Sequence, residues 1–300
     1  MSIKVSNISK SYKKLKALQN ISFDVKEGEL FGLIGPDGAG KTTLFRILTT
    51  LLFANEGTAS VAGYDVISDY KKIRNHVGYM PGKFSLYQDL TVEENLDFFA
   101  TIFGTTLEEN YDLIKEIYVQ IEPFKNRRAG KLSGGMKQKL ALCCALIHKP
   151  KVLFLDEPTT GVDPVSRKEF WEMLKRLQLK GITILVSTPY MDEAALCDRI
   201  ALIQEGKILE IDTPEAIVKH FPKPIYNVKA NNMYQLLKSL NAYKYKYSIY
   251  PFGEFVHYTD TRLNFNTEEV IQYLKSENLE EITLYKTEPT IEDTFMELAK

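Results

Sequence analysis

The stretch that decides the fold of this chain is Gly35-Pro36-Asp37-Gly38-Ala39-Gly40-Lys41-Thr42-Thr43. It follows the apolar run 30–34, which is typical of a buried strand. After it, apolar side chains recur at the spacing of one helix face. These are Leu44, Ile47, Leu48, Leu51 and Leu52. The stretch is therefore predicted to be a turn between a buried strand and a helix.

The residue types in this turn favour the binding of a polyphosphate. Gly35, Gly38 and Gly40 allow positive φ angles and a close approach of backbone N–H groups, and the helix adds its positive N-terminal end. Lys41 supplies a charge for the outer phosphates, and the Thr42 hydroxyl is placed to ligate Mg²⁺. A glycine-rich loop without a ligand is the alternative. The order of strand, loop, lysine, hydroxyl and helix favours the phosphate site.

Composition limits the other possibilities. The chain has 300 residues, 44% of them hydrophobic and 26% charged, with a formal net charge of −1. This size suits one large α/β domain and a smaller one, and the near-neutral charge gives no electrostatic support for nucleic acid as a partner. No apolar run reaches the roughly 20 residues that span a bilayer, so we expect neither a secreted nor a membrane-spanning chain. Cys143, Cys144 and Cys197 suggest a reducing cytosol, and the adjacent Cys143 and Cys144 are interpreted as small core residues, not as metal ligands.

A second glycine-rich turn, Leu132-Ser-Gly-Gly-Met-Lys-Gln138, ends a segment of about 85–150 that is predicted to be helical. In this segment Thr91 is a predicted helix N-cap, with Glu94 three residues later. The residues Ser133, Gly134 and Gly135 open a further helix, where an anion could bind. A serine N-cap alone explains the same pattern.

Two carboxylates follow an apolar run, in the stretch Val152–Glu157. Asp156 at a strand end could hold Mg²⁺ through water, and Glu157 could polarise a water for attack on a γ-phosphate. Two solvent-facing acids are the alternative, although a doubly wound sheet would place both at the edge that carries the phosphate loop. Tyr12 is predicted in a polar connection between strands at 3–8 and 21–25. There it is either an adenine-stacking ring or a packed surface tyrosine.

The pattern changes at about residue 221. Strand, helix, two strands, helix and strand follow in that order, with a final helix from Thr290. This order predicts a ferredoxin-like α+β domain over 221–300, and it carries no chemical motif. The predicted organisation is therefore a domain over 1–220, with a helical subdomain at about 85–150, and a small domain over 221–300.

With these pieces in order, the first 220 or so residues resemble the ATPase subunits of ATP-binding cassette (ABC) transporters. The resemblance rests on the phosphate loop, the signature 132–138, the acidic strand and the turn Gly161-Val-Asp-Pro164. The stretches Phe84–Tyr87, Tyr190–Glu193 and Glu288–Phe295 are similar to bacterial multidrug exporters with ABC-2 permeases. The resemblance implies an α/β P-loop NTPase core with a mixed, mainly parallel sheet. It also implies an antiparallel subdomain and an inserted helical subdomain.

The resemblance also implies a function. In this family two ATPase chains sandwich two ATP molecules head to tail and drive separate membrane permease subunits, at the cytoplasmic face of the membrane and without nucleic acid. Tyr12 would stack on adenine, residues 35–43 would hold the phosphates, Thr42 and Asp156 would serve Mg²⁺, and Glu157 would orient the attacking water. Ser133, Gly134 and Gly135 would reach the ATP on the partner chain, and Asp163 would lie at the dimer seam.

Two positions depart from the family pattern. Gly82 stands where the family usually has a glutamine that senses Mg²⁺ and water, and Pro189 stands where a histidine usually contacts the γ-phosphate. Neither side chain donates a hydrogen bond, so we expect ATP binding with slow hydrolysis at this chain's own site. Two alternatives stay open: a strand terminator at Pro189 with a hinge at Gly82, and a regulatory or scaffold subunit that binds ATP without turnover.

Overall fold

The computed structural model describes residues 1–83 and 86–300. Its internal contacts divide the chain into two compact units, Met1–Pro214 and Glu215–Leu298. Phe84 and Ser85 lie outside the described residues, so the stretch Phe84–Tyr87 behind part of the family resemblance is described only in part.

The first unit combines two sheets with helices. Its strands are β1 (Ile3–Tyr12), β2 (Leu15–Val25), β3 (Leu30–Ile34), β4 (Glu56–Val61), β5 (Tyr64–Asp65), β6 (Val77–Met80), β7 (Val152–Asp156), β8 (Thr183–Thr188), β9 (Arg199–Gln204) and β10 (Lys207–Asp212). Its helices are α1 (Lys41–Leu48), α2 (Tyr70–His76), α3 (Val92–Ile102), α4 (Leu107–Tyr118), α5 (Gly134–Leu146), α6 (Pro164–Leu179) and α7 (Met191–Ala194).

The larger sheet has the strand order β10-β9-β3-β8-β7-β6. The pairs from β9 to β6 are parallel, and β10 is an antiparallel edge strand. Strands β3 and β7 are buried along their whole length, which explains their unbroken apolar runs. The smaller sheet, β2-β1-β4-β5, is antiparallel throughout. This mixed, mainly parallel sheet with an antiparallel sheet confirms the predicted fold class.

Helix α1 packs into the core between these sheets. Leu44, Phe45 and Leu48 are fully buried, and the Phe45 ring meets the Phe154 ring of β7 edge to face at 5.9 Å. The predicted helix face that runs on to Leu51 is wrong. The helix ends at Leu48, the chain turns through Thr50 at φ 63°, and Leu51 is 57% exposed.

Helices α3, α4 and α5 form the helical segment of the first unit. The predicted cap at Thr91 is confirmed: its side chain accepts from the Glu94 N–H, and the Glu94 side chain accepts in return from the Thr91 N–H. Thr106 and Glu109 form the same reciprocal capping box at the start of α4. Each box satisfies N–H groups that the first turn of a helix leaves without an intrahelical partner.

The predicted polar connection between strands at 3–8 and 21–25 is wrong. Tyr12 is the last residue of β1, and only a two-residue turn separates β1 from β2. The pairing of β1 with β2 shifts register at several places, and the hairpin continues through these irregularities.

The three cysteines are buried, free thiols, as predicted for Cys143 and Cys144. Burial raises the pKa of Cys143 and of Cys197, so both thiols stay protonated. Across the described ranges 1–83 and 86–300, no helix is both long enough and apolar enough to cross a bilayer.

The second unit begins at Glu215, within α8 (Pro214–Lys219). Its remaining elements are β11 (Ile225–Lys229), α9 (Met233–Ala242), β12 (Lys246–Phe252), β13 (Phe255–Asp260), α10 (Thr267–Ser276), β14 (Thr283–Thr287) and α11 (Ile291–Leu298). The strands pair antiparallel in the order β12-β13-β11-β14, which is the split βαβ arrangement. The hydrophobic core of this unit includes Val228, Leu236, Val256 and Leu274.

Candidate nucleotide-binding site

The glycine-rich loop connects the end of β3 to the start of α1. Gly40 is the N-cap of α1, with φ 106° and no side-chain cap, and a Cβ on it would lie 2.4 Å from the Ala17 carbonyl oxygen. A Cβ on Gly35 would lie 2.1 Å from the Ile203 carbonyl oxygen. Because no side chain caps the helix, its first-turn N–H groups, from Lys41 onward, are free to bind an anion.

Lys41 is the buried cation of this loop, with 3% of its surface exposed. Its Nζ donates to the carbonyl oxygens of Gly35 at 2.7 Å and Pro36 at 3.0 Å, and it lies 3.0 Å from Glu157 Oε1. An entering phosphate would compete with the Glu157 carboxylate for this charge. The ion pair thus joins the phosphate loop to the acidic strand end.

A cleft of about 500 Å³ opens over the loop. It is lined by Tyr12, Leu15, Lys16, Ala17, Gln19, Gly38, Gly40, Lys41, Thr42, Thr43, Glu157 and Glu205. Tyr12 is 42% exposed, and Lys10 Nζ lies over its ring at 5.7 Å from the centroid. The sequence predicts that one nucleotide is bound by Tyr12, the phosphate loop and Glu157. All three contribute residues to this cleft.

The two acids at the end of β7 share one neighbour. Asp156 is 2% exposed, and its Oδ1 accepts a hydrogen bond of 2.8 Å from Ser187 Oγ. The Glu157 N–H donates to both the carbonyl oxygen and the hydroxyl of Ser187, each at 3.1 Å. Glu157 has a φ of 52°, which is uncommon for a residue other than glycine. Strand β8 therefore fixes both acids.

Gly82 and Pro189 lie at the ends of the strands that flank β7. A Cβ on Gly82 would lie 3.0 Å from the Asp156 carbonyl oxygen and 3.9 Å from Glu157 Cβ, so position 82 is beside the acids. Pro189 directly follows β8. The turn after it is held by Thr188, whose Oγ1 accepts from the Tyr190 N–H at 3.1 Å. Neither glycine nor proline carries a side-chain hydrogen-bond donor.

The signature and the turn at Asp163 cap two other helices. Ser133 caps α5 by accepting from the Met136 N–H at 3.3 Å, and Ser133 and Gly134 are exposed while Gly135 is buried. Asp163 caps α6 through the Ser166 N–H at 3.0 Å, and this backbone hydrogen bond lowers the pKa of Asp163. None of these residues is among the described residues that line the cleft. They therefore lie outside the cleft that opens over the phosphate loop.

The oxygen donors at the cleft fit Mg²⁺ held together with a nucleotide. Within the described part of the chain, no group of three or more His, Cys, Asp or Glu side chains could hold a metal ion by itself. Thr42 is half-buried beside the loop, and Asp156 ends β7, which β8 separates from β3 in the sheet. Mg²⁺ usually binds to one or two carboxylates plus substrate phosphates, so these two residues suit it without a complete protein cage.

Sequence reasoning missed several residues of this site. Ser187, Glu205 and Gly206 were not among the predicted site residues. The Gly206 N–H donates to the Ala39 carbonyl oxygen at 3.0 Å. The Gly206 carbonyl oxygen accepts from the Gln19 N–H at 2.7 Å. This turn therefore supports the phosphate loop, although it lies far from the loop in the sequence. The Glu205-Gly206 sequence indicates a turn, but the contact of this turn with Ala39 depends on the order of the strands in the larger sheet.

Comparisons with known proteins agree with this geometry. The family model described as ABC transporter matches residues 18–160. The multidrug ABC transporter ATP-binding protein YbhF of Escherichia coli, named as probable, is 43% identical over 216 residues. That match covers 71% of this chain but only 37% of YbhF. The Nod factor export ATP-binding protein I of Rhizobium sp. (strain N33) is 32% identical over 302 residues, which covers 99% of this chain and 97% of that protein.

Solved structures show the same fold. An ATP-binding subunit of an ABC transporter superposes with a TM-score of 0.67 and 28% identity, covering 74% of this chain and 93% of its own. A dimeric ATP-binding cassette bound to ADP and inorganic phosphate gives 0.64 and 27% identity, covering 70% of this chain and 98% of its own. The family resemblance seen in the sequence is confirmed. This chain belongs to the ATP-binding proteins of ABC transporters.

Proposed function

We propose that this chain binds and hydrolyses ATP to drive export through separate membrane permease subunits, at the cytoplasmic face of the membrane. The observation that carries the proposal is the cleft in which an uncapped helix N-terminus, Lys41 and Glu157 meet. The names of the relatives, a probable multidrug transporter protein and a Nod factor export protein, support the direction of transport. In this proposal residues 1–214 are the nucleotide-binding domain, and 215–298 are an accessory domain.

The predicted site residues divide the work of the proposed reaction. Tyr12 stacks on adenine, the amides of residues 35–43 and Lys41 bind the phosphates, and Thr42 and Asp156 hold Mg²⁺. The metal ion neutralises charge on the phosphate oxygens. Glu157 accepts a proton from the attacking water once a phosphate has drawn Lys41 away from it.

The signature serves a second ATPase chain in this proposal. Ser133 and Gly134 are exposed at the start of α5, and an exposed helix N-terminus can receive the γ-phosphate of a nucleotide on the partner. Asp163, also exposed, lies at the seam between the two chains.

A dimerisation experiment tests this role of the signature. In a Glu157→Gln background, which slows hydrolysis and lets the ATP-bound state accumulate, Mg-ATP should convert the chain from monomer to dimer in analytical ultracentrifugation. Adding Ser133→Arg should abolish the dimer, because the larger side chain fills the space meant for a phosphate, while Mg-ATP still binds. Lys168→Ala, a change at an exposed residue of α6, is the control. An ATP-dependent dimer that survives Ser133→Arg contradicts the composite site.

A finer proposal concerns the chain's own site. Gly82 and Pro189 leave the site of this chain slow, and its intact signature supports a faster site on a different ATPase chain. The expected partner is therefore a second, dissimilar cassette. If mixing this chain with such a partner gives hydrolysis that Ser133→Arg does not change, the mixed-dimer proposal fails.

The same two residues support a second candidate function. A regulatory or scaffold subunit would close on ATP without turning it over, and it would need neither the missing glutamine nor the missing histidine. The position of Glu157 beside Lys41 favours the catalytic proposal, because a site that only binds has no need of a base. Restoring both missing side chains distinguishes the two functions.

A further inference from the structure

We propose that Ser187 is a positioning residue for the Mg²⁺ site, acting through Asp156 and through the backbone of Glu157. This inference rests on the proposed function and adds a residue that neither the sequence motifs nor the family pattern assigned. Ser187 lies on β8, next to the acidic strand β7, and its side chain is fully buried.

Ser187 fixes the orientation of the Asp156 carboxylate. Ser187 Oγ donates to Asp156 Oδ1 at 2.8 Å, and both residues are shielded from water. A buried carboxylate oxygen with a fixed donor has one orientation, which leaves Oδ2 to serve the metal. Hydrogen-bond partners of metal-binding side chains tune both their orientation and their affinity.

Ser187 also holds the backbone of Glu157. Its φ of 52° lies in the left-handed region, which a glutamate adopts only when its surroundings hold it there. The Ser187 hydroxyl and carbonyl oxygens both accept from the Glu157 N–H, each at 3.1 Å. The same hydroxyl therefore donates to one acid and accepts from the backbone of the next. Removing the hydroxyl frees Asp156 Oδ1 and leaves the Glu157 N–H with the Ser187 carbonyl oxygen alone.

Positions 82 and 189, which follow the strands on either side of β7, supply no side-chain donor to Asp156. Gly82 has no side chain, and Pro189 has no donor. Among the hydrogen bonds between described residues, Ser187 supplies the side-chain donor to Asp156. The Ser187 hydroxyl therefore orients Asp156 without help from a side-chain donor at position 82 or 189.

The test measures how strongly Mg²⁺ improves nucleotide binding. The affinity of the full chain for the non-hydrolysable analogue AMP-PNP is measured by calorimetry, in EDTA and in saturating Mg²⁺. Ser187→Ala should reduce the Mg²⁺-dependent gain in affinity by about tenfold and leave the affinity in EDTA within about twofold of wild type. Ser187→Thr keeps the hydroxyl and should restore the gain.

Thr183→Val is the matched control. Thr183 lies on the same strand, is buried, and accepts from the Gly28 N–H at 3.0 Å, but it is at the opposite end of β8. It should lose stability without losing the Mg²⁺-dependent gain. If Ser187→Ala does not fold, Ser187→Cys fills the same space with a much weaker donor and should show the same loss.

The outcomes separate this inference from the proposed function. A Mg²⁺-dependent gain that stays at the wild-type value in Ser187→Ala or Ser187→Cys overturns the positioning role. A wild-type chain that binds AMP-PNP equally well with and without Mg²⁺ also overturns it, while nucleotide binding stands. A wild-type chain that binds no nucleotide in either condition instead overturns the proposed function.

Discussion

Changing Gly82 to Gln and Pro189 to His together is expected to raise ATP turnover by about 10²–10³-fold. The loss of one positioned donor at a reacting centre costs roughly this factor elsewhere, and this site lacks two. A side chain at position 82 begins 3.0 Å from the Asp156 carbonyl and 3.9 Å from Glu157 Cβ, so it can reach the acids after a small backbone shift. Phosphate release at saturating Mg-ATP measures the effect.

The control for this gain is the same double change in a Glu157→Gln background. There the restored donors have no base to assist, and turnover should stay at the background rate. The double variant should also bind Mg-ATP about as tightly as wild type, since the phosphate loop is unchanged. A folded double variant with wild-type turnover would contradict the impaired-site proposal and favour a regulatory subunit.

The second large effect is expected for Lys41→Ala, which should weaken Mg-ATP binding by roughly 10–100-fold. A hydrogen bond to a charged group is worth about 1.5–3 kcal/mol, and about 1.4 kcal/mol corresponds to a factor of ten. The change also leaves the Glu157 carboxylate, now 3.0 Å from Lys41 Nζ, without its cation and facing the phosphates. Calorimetric titration with Mg-ATP measures the loss.

Arg46→Ala is the matched control for Lys41→Ala. Arg46 is an exposed cation on the same helix, α1, and does not line the cleft. Its removal should leave the affinity for Mg-ATP unchanged. Equal affinities of the Lys41→Ala variant and the Arg46→Ala control would contradict the assignment of the phosphate site to this loop.

The parts of the fold that follow local rules could be predicted from the sequence. Strand β7 is predictable because four apolar residues precede Asp156, and the cap at Thr91 because Glu94 stands three residues on. The fold class was implied by the family resemblance that these motifs carry together, and it is confirmed.

Other features depend on how distant segments pair, and the sequence did not show them. Tyr12 was placed in a loop because the register shifts of the β1–β2 hairpin hide its alternation. Ser187 approaches Asp156 only because β8 is the neighbour of β7 in the sheet. The turn at Gly206 supports Ala39 for a similar reason, since β9 pairs with β3. Sheet order is a tertiary property, and no local pattern encodes these contacts.

The most direct measurement is Mg-ATP binding and turnover by the purified chain alone, beside Lys41→Ala and Glu157→Gln. We predict that the wild-type chain binds Mg-ATP, that Lys41→Ala binds it much less tightly, and that wild-type turnover barely exceeds the Glu157→Gln background. Brisk wild-type turnover that both variants lose would contradict the impaired site. It would show that other groups replace the missing glutamine and histidine, with a homodimer as the simpler assembly.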